Sequence, residues 1–351
     1  MTERIAVVLL STGGPDSKAA ILPYLYNYYK DPQNLPLPIG LRTIGAFFTA
    51  LTQRFTTMRE TYRRLGFQSP LLQNTKAQAI SLERVLNATK TADVHYRCYV
   101  SMVYWHPFSD EVMDEIKSYG ADRVILLPMF PQKSLKTTYA MVKDWLITAE
   151  EENLQVKTQV LDEFYHLKGF AAAAGSQISP SMYRVSDKAR RAKLEKPRVI
   201  FVARYHPPRL KKAGDPYAQS VENTAKLIIK AIGGDHDYRV CYQSAPTLSS
   251  TIGPLLDDAL KEAAADNVPV LIFPVSYAAE DPVTMVMFDQ LYAEHAKEFG
   301  VPLYERAQTV SNHNDLMTAL SETIIGEDSL IDLNKYDETL KDKLIWNKKN
   351  D

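Results

Sequence analysis

The sequence predicts an α/β fold made of two βαβαβ halves with parallel sheets. Three observations predict it. Continuous apolar runs of strand length alternate with helical patterns, and the alternation occurs twice, over 1–165 and 196–330. Two of the runs, "ADRVILLPMFPQ" and "NVPVLIFPVSYA", read as counterparts, each a buried strand with a proline near its end. Strands that are apolar on both faces belong to parallel sheets covered by helices on both sides.

The elements follow in order. Ile5–Leu10 is an apolar strand stopped by Gly13-Gly14-Pro15. The tyrosines and Lys30 of "YLYNYYKDP" (24–32) read as an amphipathic helix end. "LPLPIGLRTIGAFFTAL" (35–51) stands outside the alternation, as either a buried helix with a Pro-rich entry or an apolar lip for a greasy ligand or membrane surface. Strands at 95–103 and 123–129 enclose a helix with Ser109 as N-cap, acids in its first turn and Gly120 as its stop. A helical, partly basic connection spans 166–195. The second half then repeats the grammar: a strand at 198–203, a helix from about 217, a strand at 238–243, a helix from about 254 and a strand at 269–275. Asp215-Pro216 and Asp281-Pro282 each read as an N-cap followed by proline at the first helical position. The charged tail 331–351 has helical character, and only Trp346 in it suggests docking.

Composition excludes several classes. With 45% apolar and 24% charged residues and a net charge of −1, the 351-residue chain has no global basic field for nucleic acid. Cys98 and Cys241 lie in predicted strands without a C-x-x-C pair and read as core residues of a reducing compartment. The N-terminus enters a strand directly, and no apolar run approaches the roughly 18 residues needed to cross a bilayer. These features predict a cytoplasmic protein, with 35–51 as its point of peripheral membrane contact.

Neither a P-loop, a dinucleotide-binding glycine pattern nor a nucleophile elbow occurs. In parallel sheets the ligand crevice lies beyond the carboxyl ends of the strands. Those ends carry Ser11-Thr12, Tyr104-Trp105-His106, Phe130, Arg204-Tyr205-His206 and Tyr277 to Asp281. The residues therefore describe a crevice of aromatics with Arg204, His206 and the acidic pair Glu280 and Asp281. Taken alone, each histidine reads as a packing residue and Asp281 as a cap.

Motifs in the same order resemble the ferrochelatase family, whose members insert ferrous iron into a porphyrin. "LLSTGGPDS…LPYLYNYYKDP" is similar to the family's L-x-N-[LM]-G-[GT]-P…YL…F-x-D-P, and "YRRLGFQSPLLQNTKAQAISLE" to Y-R-x-I-G-G-G-S-P-L…T-x-x-Q-A-x-x-L. "VYWHPFSDEVMDEIKSYGADRVILLPMFPQKSLKTT" resembles R-Y-x-x-P…LP-L-Y-P-Q-Y-S-x-x-T-T, and "GDPYAQSVENTAKLI" resembles G-D-P-Y…T-x-x-L. The resemblance spans about 5–325 and implies two Rossmann-like halves with a porphyrin cleft between them.

The departures fall on the family's working residues. Counting back from Gly214, the family histidine maps to Arg204. In "PVSYAAEDPVT" the family glutamate maps to Val283, with Thr284 kept and Glu280 in the place of an aspartate. The arginine of R-Y-x-x-P maps to Val103. Ser11 replaces asparagine, Thr12 an apolar residue, Phe67-Gln68 two glycines and Lys133 a tyrosine. Metal insertion requires the removal of two pyrrole protons and delivery of a divalent ion. An imidazole or carboxylate accepts protons and coordinates iron. A guanidinium only donates, keeps its proton and repels Fe²⁺, and valine has no polar side-chain atom.

The resemblance thus implies a tetrapyrrole-binding protein, its ligand a porphyrin or haem, with metal insertion lost or strongly impaired. The implied ligand contacts are Ser11, Thr12, Val103, Tyr104, Trp105, Phe130, Lys133 and Tyr277. One alternative is an active ferrochelatase that takes Fe²⁺ and uses His206 and Glu280 as relocated base and metal ligands. Another is a scaffold that binds a different anionic small molecule through Arg204. No obligatory cofactor is expected, and no iron–sulfur cluster, because the tail holds no cysteine.

Overall fold

The computed structural model describes residues 2–53, 57–89, 93–233, 235–244, 251–327 and 329–336. The chain divides into two compact units: residues up to Glu163 with those from Leu320 on, and Phe164–Ala319.

The first unit is built on β1 (Glu3–Ser11), which runs parallel between β2 (Val94–Met102) and β3 (Arg123–Pro128). Ile5–Leu10 is almost fully buried, as its unbroken apolar run requires of a strand covered on both faces. Ahead of β2 come α1 (Ile21–Lys30), α2 (Ile39–Gln53), α3 (Thr57–Arg64) and α4 (Leu71–Ala88). Helix α5 (Ser109–Tyr119) joins β2 to β3, and α6 (Thr138–Glu151) leads to β4 (Lys157–Val160), parallel to β3.

The helix expected between β2 and β3 is present and stops at Gly120, whose φ of 68° is left-handed. Its start differs from expectation. Ser109 is the first helical residue, not the cap, because its hydroxyl donates to Asp144 Oδ2 at 2.8 Å. Glu111 takes over the terminus by accepting the Phe108 N–H.

The second unit opens with α7 (Lys168–Arg191), so the expected 166–195 connection is one long helix packed on this unit's own elements. Gly169 is what lets α7 seat there, since a Cβ at this position would stand 2.2 Å from the Asp315 carbonyl oxygen. Strand β5 (Arg198–Ala203), the short α8 (Pro208–Lys212), α9 (Tyr217–Ile232), β6 (Tyr238–Tyr242), α10 (Leu256–Ala265) and β7 (Val270–Phe273) follow. β5 pairs in parallel with β6 and β7. A π-helix, Val283–Leu291, runs into α11 (Tyr292–Phe299), and β8 (Tyr304–Arg306) adds an edge beside β7. Helix α12 (Asn314–Gly326) precedes β9 (Ile331–Asp332).

The second half was expected to reach 330, but its unit ends at Ala319. The tail opens on a two-residue strand, β9, which pairs antiparallel with β4; the expected helical character then begins at 333–336, where Tyr336 stacks on Tyr139 at 5.3 Å. The remainder of the tail, Trp346 included, lies outside the described residues.

Helix α2 decides between the two readings of 35–51. Only Ala46 and Ala50 are buried, while Leu41 is 62% and Phe48 60% exposed, alongside Ile39, Ile44 and Phe47. Its small residues face inward and its large apolar ones outward, the reverse of a core helix. Both cysteines are free thiols, and burial pushes each well above the usual thiol range. Among the described residues, no helix is long and apolar enough to cross a membrane.

Candidate functional site

In the second unit, β5 and β7 end side by side, and the predicted residues gather at their carboxyl ends. The Arg204 backbone N–H donates to the Tyr217 hydroxyl at 3.0 Å, and Tyr217 donates onward to Ser276 Oγ at 2.9 Å. The Arg204 guanidinium stacks on Tyr277, its carbon 3.9 Å from the ring centroid. Its Nε donates to the Ser276 carbonyl at 3.3 Å and its Nη2 to Asp281 Oδ2 at 3.0 Å. The side chain is 24% exposed, so the charge lies in a wall that still meets solvent. Tyr277 is buried beneath it and donates to Gln243 Oε1 at 2.8 Å.

Asp281 holds this wall to the helix that follows. Its Oδ1 accepts the N–H groups of Val283 at 2.8 Å and Thr284 at 3.0 Å, and Thr284 Oγ1 accepts the Asp281 N–H in return. This is the reciprocal N-cap expected from Asp281-Pro282. Burial pushes the Asp281 carboxyl up, while Arg204 and the two capped N–H groups pull it back. Val283 packs its side chain against the buried cluster around Ile272, Phe288 and Tyr292.

Of the two relocated candidates, Glu280 is bound by its neighbours, while His206 is buried with its Nε2 making no hydrogen bond among the described residues. Glu280 Oε1 accepts from Arg306 Nη1 at 3.0 Å and from the Thr309 N–H at 2.9 Å, and its Oε2 accepts from Thr284. His206 is 2% exposed, stacks on Tyr217 and places Nε2 3.3 Å from Asp215 Oδ2. Among the described residues, no three His, Cys, Asp or Glu side chains group as a metal-ligand set.

The first unit carries a pocket of about 560 Å³ beside the end of β2. Val103 and Tyr104 line it, with Lys30, Asp31, Phe108 and the α6 residues Tyr139, Lys143 and Asp144. Tyr104 is buried; its hydroxyl donates to Asp31 Oδ2 at 2.6 Å and accepts from Asn34 at 3.1 Å. Burial pushes the Asp31 carboxyl up, against the pull of Tyr104, the Gln33 N–H and two lysines. Asp144, desolvated and held by Ser109, is raised to about 6.

The other predicted contacts of this unit do not line that pocket. Ser11 and Phe130 are buried; the Ser11 and Thr12 carbonyls accept the N–H groups of Val103 and Tyr104. Gly13, at φ 78°, lets this turn pass close to Trp105, where a Cβ would meet backbone nitrogen at 3.2 Å. Lys133 lies 3.5 Å from both Asp162 and Glu163. His106 is exposed and pairs with Glu111 at 2.8 Å. Sequence reasoning missed Lys143 and Asp144, although 140, 143, 144 and 147 recur at the spacing of one helix face.

A sequence model of the ferrochelatase family matches residues 4–327. A ferrochelatase of Wolbachia sp. subsp. Drosophila simulans (strain wRi) is 35% identical over 322 residues, covering 92% of this chain and 98% of that one. One from Phenylobacterium zucineum is 32% identical over 92% of this chain and 91% of its own length. Among solved structures, "SirB from Bacillus subtilis with Fe3+" aligns with a TM-score of 0.52 at 11% identity, over 95% of this chain and all of that one. This last likeness is one of fold alone, the two-domain Rossmann-like arrangement.

Proposed function

Because this chain belongs to the ferrochelatase family, we propose that it binds a tetrapyrrole, a porphyrin or haem, and has lost most or all capacity to insert metal. The observation that carries this reading is the Arg204–Asp281 pair. At the position where the family keeps a histidine, this chain holds a permanent cation bonded to a carboxylate and stacked on Tyr277. Such a group accepts no proton and offers no lone pair to iron.

Val283 contributes no proton acceptor, and the candidates that would replace the pair are held in structure or shut away from solvent. Glu280 is bound by Arg306, Thr309 and Thr284, and His206 is buried against Asp215 and Tyr217. Loss of one positioned base costs about 10²–10⁴ in rate, and groups that act as a unit fail together. The apolar face of α2 suits the greasy edge of such a ligand, or a membrane surface in which tetrapyrroles partition. This reading places the protein in the cytoplasm with peripheral membrane contact.

The test is an anaerobic absorbance titration with protoporphyrin or coproporphyrin, followed by Fe²⁺ or Zn²⁺. Binding that shifts the Soret band without metallation above the uncatalysed rate is expected. Protein-dependent metallation overturns the loss of activity, and His206→Ala and Glu280→Ala then identify the base. Absence of any porphyrin binding overturns the tetrapyrrole reading itself.

A further inference from the structure

The pocket of the first unit presents charges of both signs. Asp144 accepts one hydrogen bond from Ser109, and no ion pair within the described residues neutralises its carboxyl. Lys30 and Lys143 line the same pocket, and neither makes an ion pair among the described residues. Asp31 differs, since Tyr104 and the Gln33 N–H already serve it. Around these groups the wall is apolar, with Phe108, Leu135, Tyr139, Ala140 and Ile147.

A carboxyl held in a desolvated wall without a cation is an unfavourable arrangement that a ligand ammonium relieves. Lys143 feels Asp31 only across a distance, and with no carboxylate in ion-pair contact among the described residues it can still take a ligand anion. A dianionic ligand would satisfy the lysines but confront Asp144 and Asp31 as like charges, and a polyamine would confront Lys30 and Lys143. A zwitterion meets both. We propose that this pocket binds an α-amino acid with a large apolar or aromatic side chain, its ammonium on Asp144, its carboxylate on Lys143 and Lys30, and its side chain against Leu135, Tyr139 and Ile147. The proposal does not depend on the tetrapyrrole reading, with which it shares only Val103 and Tyr104. The volume of about 560 Å³ admits such a molecule with its first waters.

The test uses the full chain near neutral pH, with L-phenylalanine, phenethylamine and hydrocinnamate as probes in calorimetry and saturation-transfer NMR. L-phenylalanine is expected to bind saturably and more tightly than either half-charged analogue. Asp144→Asn should weaken L-phenylalanine and phenethylamine about tenfold or more while sparing hydrocinnamate. Lys143→Gln should weaken L-phenylalanine and hydrocinnamate while sparing phenethylamine. Both sites lie on the solvent-touching side of α6, and circular dichroism checks that each variant folds. No saturable signal from L-phenylalanine up to about 10 mM overturns the proposal. Binding that ignores both substitutions overturns it as well, and so does hydrocinnamate binding more tightly than L-phenylalanine.

Discussion

Arg204 and Asp281, 77 residues apart, meet at 3.0 Å where β5 ends and the π-helix begins. One carboxylate oxygen takes the guanidinium and the other caps the helix, so the pair joins a strand end to a helix start. Removing one member leaves the other charge poorly compensated, which is costlier than replacing both. Asp281→Ala should therefore lose about 2–4 kcal/mol of stability, combining a lost cap with a stranded cation. The double variant Arg204→Met/Asp281→Asn should lose less than the sum of the single ones. Urea unfolding of the four proteins reads the coupling, and simple additivity would refute it.

Val283→Glu puts a carboxylate into a wall built for valine. The Val283 side chain packs against the cluster around Ile272, Phe288 and Tyr292, so a carboxylate there gives up water without a programmed cation. A stability loss of about 1–3 kcal/mol is expected. Arg204→His/Val283→Glu should still bind porphyrin if it folds. Thermal unfolding checks the first point; an unchanged Tm would mean the side chain swings out to solvent.

How much of this was legible in the sequence follows from what kind of signal each feature leaves. β1, β5 and β7 are buried on both faces and read as unbroken apolar runs, whereas β4 ("KTQV") and β8 ("YER") are short and mixed and leave no pattern. The Asp281 cap is local, three residues across, and was readable. The Arg204–Asp281 bond links positions that no periodicity relates, so only the fold reveals that the arginine is tied down. Ser109 illustrates the opposite failure: its type and place match a cap, but a partner 35 residues away takes the hydroxyl. For α2, the stretch was short on charge and rich in Leu, Ile and Phe, and only packing shows that alanines 46 and 50 are the buried face.

Tyr104→Phe removes the hydroxyl that donates to Asp31 at 2.6 Å and accepts from Asn34. The ring remains, so packing is preserved and only polar satisfaction changes. A buried carboxyl left without its donor costs about 1–3 kcal/mol. Chemical denaturation should show this loss near neutral pH and a smaller one in acid, where Asp31 is protonated. Equal losses at both pH values would place the cost in packing instead.

The exposed side chains of α2 carry a prediction that separates surface chemistry from folding. Ile44 is 59% and Phe48 60% exposed, so Ile44→Asp and Phe48→Asp should shift stability by no more than about 0.5 kcal/mol. If the face meets lipid or a greasy ligand, the double variant should lose co-flotation with anionic vesicles or weaken porphyrin binding several-fold. Retention of both properties would leave the face without a role in either.

The Asp144 carboxyl makes stability depend on pH in a definable direction. Burial raises it from an ordinary value near 4 to about 6, with Asp31, Asp110 and Glu151 adding repulsion and Ser109 lowering it. A raised carboxyl pKa means the native state binds the proton more tightly than the unfolded chain. The protonated form is therefore the stabilised one, and stability falls as pH climbs from about 4 through about 6. Asp31 and Asp281, also raised by burial, act with the same sign. The shift at Asp144 alone corresponds to a penalty on the order of 2–3 kcal/mol, fully present above about pH 6. Asp144→Asn removes the titration and keeps the Ser109 bond. Its stability, measured by urea unfolding across this range, should vary less with pH than that of the unmodified protein and exceed it at neutral pH. Parallel curves for the two proteins would mean that Asp144 titrates normally.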